Sequence, residues 1–404
     1  MTGDRMPPGF MRDAAGRLLV AGRTAADWVA DAGDTPLFLY DRAIMDARVR
    51  RFRAAMPKGV RLHYAVKANP LPALLAHMAG RVDGFDVASA GEMDRALAAG
   101  MAADRVSFAG PGKRDRELRA AIAAGVTLHV ESAGELARAR AAAQLMGARA
   151  RVALRINPPF ELKGSGMRMG GGARPFGIDA DQAAALMVEM DDPALDFRGF
   201  HIFAGSQNLD IAALAEAQRL SIALAAELAA GRPLPMVNLG GGFGVPYFPA
   251  DKALDVEAVG AALADSLAAR PAGLADTIFA IELGRWLVAE AGVYLTRIVD
   301  RKLSGGERFL VTDGGLHHQL AATGNFGTVI RRNYPLVNAS HDGARETANV
   351  VGCLCTPLDR LGEKLDLAQG RVGDLIALFM AGAYGRTASP EAFLGHPAPM
   401  ELLV

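Results

Sequence analysis

A lysine closes a short apolar stretch of the sequence, His63-Tyr64-Ala65-Val66-Lys67, and an Asn-Pro turn follows at once. Leu62, Tyr64 and Val66 recur at every second position, which predicts a buried strand. A lysine at the end of such a strand lies at the mouth of a site, where burial can make its amine a nucleophile. The stretch is equally typical of a strand-end lysine that extends into water, so the rest of the sequence has to decide.

A cluster of glycines forms the second candidate site: Gly240, Gly241 and Gly242 precede Phe243 and Gly244. Glycines let backbone amides approach an anion without a Cβ in the way, which suits the binding of a phosphate group. The alternative is a flexible turn. The GxGxxG spacing of dinucleotide-binding proteins is absent.

Ser206, which follows Gly205, offers a second small hydrogen-bond donor on the neighbouring predicted strand and strengthens the phosphate interpretation. Its alternative role is an ordinary Gly-Ser turn.

Glu282 ends the apolar run Ile278–Ile281, where an unpaired carboxylate would be costly. Its partner could be Arg285 or the protonated ring nitrogen of pyridoxal phosphate, which a carboxylate keeps charged. A lysine that can form an imine, a phosphate site and a buried acid for the ring nitrogen are together the groups that bind this cofactor.

Short apolar strands alternate with Ala-rich helical segments from Thr35 onward, which predicts βα units and a parallel sheet. Eight such strands over about 240 residues match a (β/α)8 TIM barrel. The polar candidates follow the strands, where that fold places active sites; Asp86 and Arg155 are therefore assigned to the same cofactor site. The predicted strands are 61–66, 84–88, 106–109, 126–130, 152–156, 198–203, 237–240 and 278–282.

The sequence pattern changes after Arg285 to short runs of alternating apolar and polar residues, broken by Gly, Asp and Asn. This pattern predicts an all-β domain. We expect the N-terminal residues to join it. The predicted domains are a barrel over 36–275 and a discontinuous β-domain over 1–35 and 276–404, which gives an α/β chain with a C-terminal all-β domain.

Composition excludes several classes of partner. The chain has 404 residues, with 44 basic and 44 acidic side chains and a formal net charge of zero, so no charge pattern for nucleic acid or a membrane surface stands out. No apolar run reaches the roughly 18 residues of a membrane span, and the N-terminus lacks the apolar core of a signal peptide. We expect a cytoplasmic protein that binds a small molecule.

The two cysteines, Cys353 and Cys355, are separated by one residue. Alternate residues of a strand point to opposite faces, so we expect them not to pair, and one reduced thiol could face a site. A zinc site would need further Cys or His residues at ligand spacing, and no second cluster supplies them. We therefore predict no metal site.

Several motifs resemble the diaminopimelate and ornithine decarboxylase family. They cover nearly the whole chain in the family's order: Ala65-Val66-Lys67-Ala68-Asn69, Asn238 to Gly244, Glu282 to Arg285, the Cys355 motif and Gly382-Ala383-Tyr384-Gly385. The resemblance implies an alanine-racemase-type barrel with a β-domain, the fold of type III pyridoxal phosphate enzymes, and a carboxy-lyase that decarboxylates an amino acid.

The resemblance also implies roles for individual residues. Lys67 would link to the cofactor as an imine, and Glu282 would pair with its ring nitrogen. Cys355, contributed by the partner subunit of a homodimer, would protonate the carbanion left by carbon dioxide, so the active sites would lie at the subunit interface. The residues implied around the phosphate are Ser206, Gly241, Gly242, Arg285 and Tyr384.

The sequence departs from the family pattern at two positions. Phe203 stands where the family carries a histidine that stacks on the cofactor ring, and an aromatic face can still stack. We interpret His201, two residues earlier, as a hydrogen-bonded strand histidine and not as a catalyst. Thr356 stands where diaminopimelate and ornithine enzymes place an acid for the distal amine of the substrate, so free diaminopimelate is not the first choice.

The motifs around Phe203, His317 and Cys355 resemble more closely an exosortase-associated subgroup and decarboxylases of carrier-protein-tethered amino acids. His317, Arg331, Thr356 and Asp359 are the predicted substrate-binding residues, although paired basic residues are more often a solvated face. The alternatives to this function are diaminopimelate decarboxylase proper, an amino acid racemase and a non-catalytic regulatory homologue. A racemase would, by resemblance, use an arginine at the ring nitrogen and a tyrosine base, and a regulatory homologue would lack the lysine or the cysteine.

Overall fold

The computed structural model describes residues 6–164, 166–248, 250–324 and 332–404. The predicted substrate-binding residue Arg331 lies outside the described residues. The chain divides into two compact units. The barrel unit comprises Arg48–Val245 and Ala253–Gly284, and the β-rich unit comprises the residues up to Ala47, Pro246–Lys252 and Arg285–Val404.

Eight parallel strands of the barrel unit form a closed barrel in sequence order, which confirms the predicted fold class. The ring closes between its last and first strands, where Glu282 pairs in register with His63, and the middle of the ring is continuous because Leu128 of the fourth strand pairs with Val152 of the fifth. The strands are β1 (Arg61–Ala65), β2 (Gly84–Val87), β3 (Val106–Phe108), β4 (Thr127–Val130), β5 (Ala150–Asn157), β6 (Leu195–Ile202), β7 (Met236–Asn238) and β8 (Ile278–Leu283).

Helices cover the connections between these strands, and polar caps fix where several of them begin. Ser89 and Ser132 each accept a hydrogen bond from the backbone amide three residues later, which satisfies a free N–H of the first turn. The helices are Arg42–Ala55, which runs from one unit into the other along the chain, Pro72–Ala79, Ala90–Ala98, Asp115–Ala124, Ala133–Leu145, Ala180–Leu186, Ile211–Ala229 and Val256–Ala268. In the described parts of the chain, no helix is both long and apolar enough to cross a membrane.

The β-rich unit is built on one long strand, Gly292–Ser304. Its first half pairs with Leu375–Phe379 on one side and with Leu37–Tyr40 on the other, and its second half pairs with Glu307–Thr312. Short helices, Ala25–Ala32 and Arg285–Val288, belong to the same unit. Its remaining strands are Met11–Arg12, Leu18–Val20, Arg23–Thr24, Leu336–Asn338, Arg345–Val351, Arg360–Ala368 and Met400–Leu403.

The predicted domain boundaries are wrong at both ends of the barrel. The strand Leu37–Tyr40 falls inside the predicted barrel domain of 36–275, yet it pairs inside the β-rich unit. Conversely, β8 lies beyond the predicted limit of residue 275, yet it pairs with β7 and β1 and closes the barrel. Strand periodicity identifies each strand but not the sheet that it joins, because pairing depends on residues far away in sequence.

Candidate active site

Lys67 lies directly after β1, in a single 3-10 turn over Val66–Ala68. Its side chain is exposed, although we expected burial. The Nζ atom lies 5.7 Å from the ring centre of Phe203, which follows β6 and is half-buried. Both predicted residues therefore occupy the carboxyl end of the barrel, where the active sites of this architecture are found.

Glu282, near the end of β8, points into the barrel with only 8% of its side chain exposed. Its Oε2 atom lies 3.1 Å from Nε2 of His201, and the side-chain amide of Asn238 lies 3.5 Å away. Burial raises the pKa of this carboxyl, but the interaction with His201 and the charge of Lys67 outweigh burial and lower the pKa. Glu282 is therefore ionised, and its partner in the barrel is a histidine.

His201, interpreted from the sequence as a hydrogen-bonded strand histidine, lies in β6, and its Nε2 atom faces the carboxylate of Glu282 at 3.1 Å. The imidazole is 2% exposed, and neither ring nitrogen has an aligned hydrogen-bond partner in the described chain. Its ring centre lies 4.5 Å from that of His129, which is fully buried and equally without partners there. Burial is the largest cause that lowers the pKa of His129, so this imidazole is neutral. The alternation of apolar and polar residues along β6 could have indicated that His201 points into the barrel. It could not have indicated that the imidazole lies beside Glu282 and His129.

Asp86 of β2 lies in the same polar interior and is 6% exposed. It accepts a hydrogen bond from Ser107, and its Oδ2 atom lies 3.7 Å from Nδ1 of His63. Burial and the charge of Glu282 raise the pKa of Asp86. The two buried carboxyls therefore differ in pKa: Glu282 is the one that carries the negative charge, and Asp86 is protonated more readily.

Arg155 of β5 is buried and donates a 2.7 Å hydrogen bond to Glu131. Glu131 also accepts hydrogen bonds from the amides of Gly110 and Gly177, and Arg155 and Lys113 together lower its pKa against the opposing effect of burial. The pair fixes the orientation of the guanidinium at the carboxyl end of the barrel strands.

The glycine cluster follows β7 and is shaped by close backbone contacts. A Cβ on Gly241 would overlap the carbonyl oxygen of Glu282, and one on Gly242, whose φ is +86°, would lie 2.6 Å from the carbonyl of Gly205. Only glycine fits both positions. Among the described residues, the amides of Gly241 and Gly242 have no acceptor. Ser206 is half-buried in the adjoining two-residue strand.

Arg285 and Tyr384 meet in the β-rich unit. The guanidinium carbon lies 4.7 Å from the ring centre of Tyr384 and 5.5 Å from that of Tyr247, whose hydroxyl accepts a 3.0 Å hydrogen bond from Nη1. The Nε atom is buried without a partner in the described chain, so the arginine keeps a donor for an anion. Sequence analysis missed Tyr247, because an aromatic residue shortly after a glycine cluster is no signal by itself.

The remaining predicted residues lie in loops of the β-rich unit. Cys353 and Cys355 are unpaired, as predicted, but they occupy a bend after the strand Arg345–Val351 and not a strand. Cys355 is exposed and Thr356 is half-buried. Asp359, a predicted substrate-binding residue, is 2% exposed and accepts hydrogen bonds from two backbone amides.

The barrel residues fit pyridoxal phosphate. Free amides on glycines that tolerate no Cβ can hold a phosphate, an ionised and buried Glu282 can hold a proton on a ring nitrogen, and the amine of Lys67 lies beside the flat face of Phe203. These are the chemical groups that the cofactor requires, and all belong to one barrel.

Comparison with known proteins agrees with this geometry. The family model described as "Pyridoxal-dependent decarboxylase, pyridoxal binding domain" matches residues 42–289. The chain is 37% identical over 380 residues to L-glutamyl-[BtrI acyl-carrier protein] decarboxylase of Niallia circulans, covering 92% of this chain and 89% of the relative. It is 32% identical to diaminopimelate decarboxylase of Zymomonas mobilis, covering 92% and 87%. The crystal structure of diaminopimelate decarboxylase from Helicobacter pylori with L-lysine superposes with a TM-score of 0.85 at 27% identity, covering 94% of each chain. This chain belongs to the family of pyridoxal-dependent decarboxylases.

Proposed function

We propose that this pyridoxal phosphate-dependent decarboxylase acts on an amino acid whose distal end is attached to a carrier protein. Thr356 carries this proposal. A carboxylate at this position would contribute about 1.5 to 3 kcal/mol to binding a distal ammonium group through a charge-assisted hydrogen bond. Threonine has no charge to offer, so a substrate whose distal end is an uncharged thioester loses nothing there.

The comparisons support the same substrate class. The relative that acts on an L-glutamyl group on an acyl-carrier protein is 37% identical, against 32% and 33% for diaminopimelate decarboxylases of Zymomonas mobilis and Neisseria meningitidis. An L-glutamyl group joined to a carrier through its side-chain carboxyl keeps the free α-amino and α-carboxyl groups that the cofactor chemistry requires, and it has no distal ammonium. We therefore assign an acidic, carrier-linked amino acid as the substrate.

The chain's own residues divide the work. Lys67 would hold the cofactor through its amine, and Glu282 would hold a proton at the ring nitrogen, with His201 holding the carboxylate in place. The bound cofactor supplies the electron sink that takes up the electron pair as carbon dioxide leaves. The residues assigned to hold the cofactor are Asp86, Arg155, Phe203, Ser206, Gly241, Gly242, Arg285 and Tyr384.

Cys355 returns a proton to the α-carbon, and we assign this thiol to the partner subunit of a homodimer. Its exposure in the single chain supports this assignment, since a catalytic thiol has to become enclosed to exclude water. We place the reaction in the cytoplasm, where glutathione and thioredoxin keep such thiols reduced.

A carbon dioxide release screen tests the substrate assignment. Purified enzyme is offered free glutamate, ornithine, lysine and diaminopimelate, and L-glutamyl thioester on a carrier protein. We expect release from the carrier-linked substrate, and Thr356→Glu should shift activity toward diaminopimelate. Activity of the wild-type enzyme on free diaminopimelate alone would overturn the proposal.

Free diaminopimelate is the second candidate, favoured by the number of relatives with that name. The racemase and regulatory alternatives have less support, because the named relatives are decarboxylases and because both Lys67 and Cys355 are present. Loss of carbon dioxide, as opposed to inversion at the α-carbon, distinguishes a decarboxylase from a racemase.

A further inference from the structure

Three side chains with metal-binding atoms converge in the β-rich unit, although the sequence offers no cluster at ligand spacing. One ligand atom each from His317, Cys353 and His396 lie within 4.8 Å of one another. The Sγ atom of Cys353 is 3.7 Å from Nδ1 and 3.8 Å from Nε2 of His396, and the two histidine ring centres are 5.2 Å apart. These separations approach those between ligands that share one metal ion.

The sheet brings two of the three residues together. The strands Glu307–Thr312 and Arg345–Val351 run parallel as neighbours, with Val311 paired to Val351, so the loops that follow them leave the same edge. Asp359 joins the loops: its carboxylate accepts hydrogen bonds from the amide of Leu316 at 2.6 Å and from that of Leu354 at 2.9 Å. Each amide belongs to the residue next to a proposed ligand.

The third residue is brought in by a separate bond. Nε2 of His318 lies 3.0 Å from the carbonyl oxygen of Pro397, and Nδ1 lies 2.9 Å from the hydroxyl of Tyr294. The ring is therefore held on both sides, and it holds the segment that carries His396. Hydrogen bonds at Asp359 and His318 thus pre-organise a site from three distant parts of the chain.

His317 is a buried and, among the described residues, unpartnered member of this cluster. The imidazole is 0% exposed, yet neither of its nitrogens has a hydrogen-bond partner in the part of the chain that the structure describes. Buried polar groups are nearly always satisfied, and an unpaired one calls for an ion or water at the site. The thiol of the neighbouring Cys353 donates to the carbonyl of Asp313 at 3.4 Å, and its sulfur also faces both ring nitrogens of His396.

We propose that His317, Cys353 and His396 bind one zinc ion. One thiolate and two imidazoles are the ligand types that zinc prefers, whereas calcium and magnesium require oxygen ligands. Binding replaces the proton of the Cys353 thiol, and one imidazole nitrogen of each histidine must be unprotonated. Three protein ligands leave the fourth tetrahedral position for water or a further ligand. This site lies outside the cofactor-binding residues and goes beyond the proposed decarboxylation.

Metal titration of the full-length holoenzyme tests this site. Chelator-treated protein is titrated with zinc against a chromogenic competitor, and with cobalt, which gives a thiolate charge-transfer band when sulfur is a ligand. We expect about one ion per chain, and Cys353→Ser and His396→Gln should each weaken zinc binding by about 100-fold or more. Cys355→Ser is the matched control, since this cysteine lies two residues away and should leave the cobalt band intact.

Thermal unfolding gives a second readout that does not depend on activity. Zinc should raise the Tm of the wild-type and Cys355→Ser proteins but not that of Cys353→Ser, and the half-buried position of His396 makes His396→Gln a variant that folds. A cobalt band that survives Cys353→Ser, or one that Cys355→Ser abolishes, would overturn the assignment. So would zinc binding that is unchanged in His396→Gln.

Discussion

At the scale of single residues, Glu282 is an acid whose environment determines its charge. An apolar strand end predicted that the carboxylate needs a partner, and His201 supplies it at 3.1 Å. A buried anion with one imidazole neighbour is ready to hold a proton on a cofactor nitrogen, because no other cation has to be displaced. The neutral amide of glutamine has the same shape but no charge to hold that proton.

Glu282→Gln should therefore lower kcat by about 100-fold or more, since charge stabilisation in a buried site is worth that much. The absorption band of the Lys67-bound cofactor should persist, because the lysine and the glycine cluster remain. Steady-state carbon dioxide release and absorbance spectra measure the two effects. Glu257→Gln, at an exposed ion pair with Arg51, is the control and should behave as wild type. Normal turnover in Glu282→Gln would contradict the assigned role.

At the scale of elements, the link after β7 passes so close to β8 that side chains are excluded. Gly241→Ala should force the two backbones apart, because its Cβ would overlap the carbonyl oxygen of Glu282. We expect cofactor affinity to fall by about 10-fold or more and the protein to lose about 1 to 3 kcal/mol of stability. Cofactor titration and urea unfolding measure these changes. Gly273→Ala meets open space and is the matched control, and an equal effect of both variants would refute the steric argument.

The buried His129 of β4 makes stability depend on pH. Burial lowers the pKa of His129 well below 6.5, with His201, Lys113 and Arg155 adding to the effect and Glu282 opposing it. Below pH 6.5, His129 therefore binds a proton in the unfolded chain but not in the folded chain. As a result, the free energy of unfolding falls as the pH falls. The loss from this residue is about 1 kcal/mol between pH 8 and pH 5.5.

Urea unfolding of cofactor-free protein at these two pH values measures that loss. His129→Gln removes the titrating group, so its stability should fall less steeply with acid than that of the wild type, whatever its absolute stability. Identical pH slopes for the two proteins would contradict the prediction.

At the scale of the whole molecule, we expect two chains to share each active site. Lys67→Ala and Cys355→Ala are each inactive if both residues are needed. When the two variants are mixed and allowed to exchange subunits, a hybrid dimer has one complete site, so about a quarter of wild-type activity should return. Carbon dioxide release from the mixture measures this, with size-exclusion chromatography as the check on assembly. No recovery after demonstrated exchange would place both residues in the same subunit.

The sequence by itself predicted the alternating strands and helices and the barrel that they form. It also identified Lys67, the glycine cluster and Glu282 as candidate cofactor-binding residues. Each of these depends on local periodicity or on a motif of a few residues, and the family resemblance followed the same motifs. The tertiary structure alone decided which sheet Leu37–Tyr40 and β8 join, that His201 is the partner of Glu282, and that Asp359 joins two loops. It also brought His317, Cys353 and His396 together. These results depend on contacts between residues far apart in the chain, and no local pattern specifies such contacts.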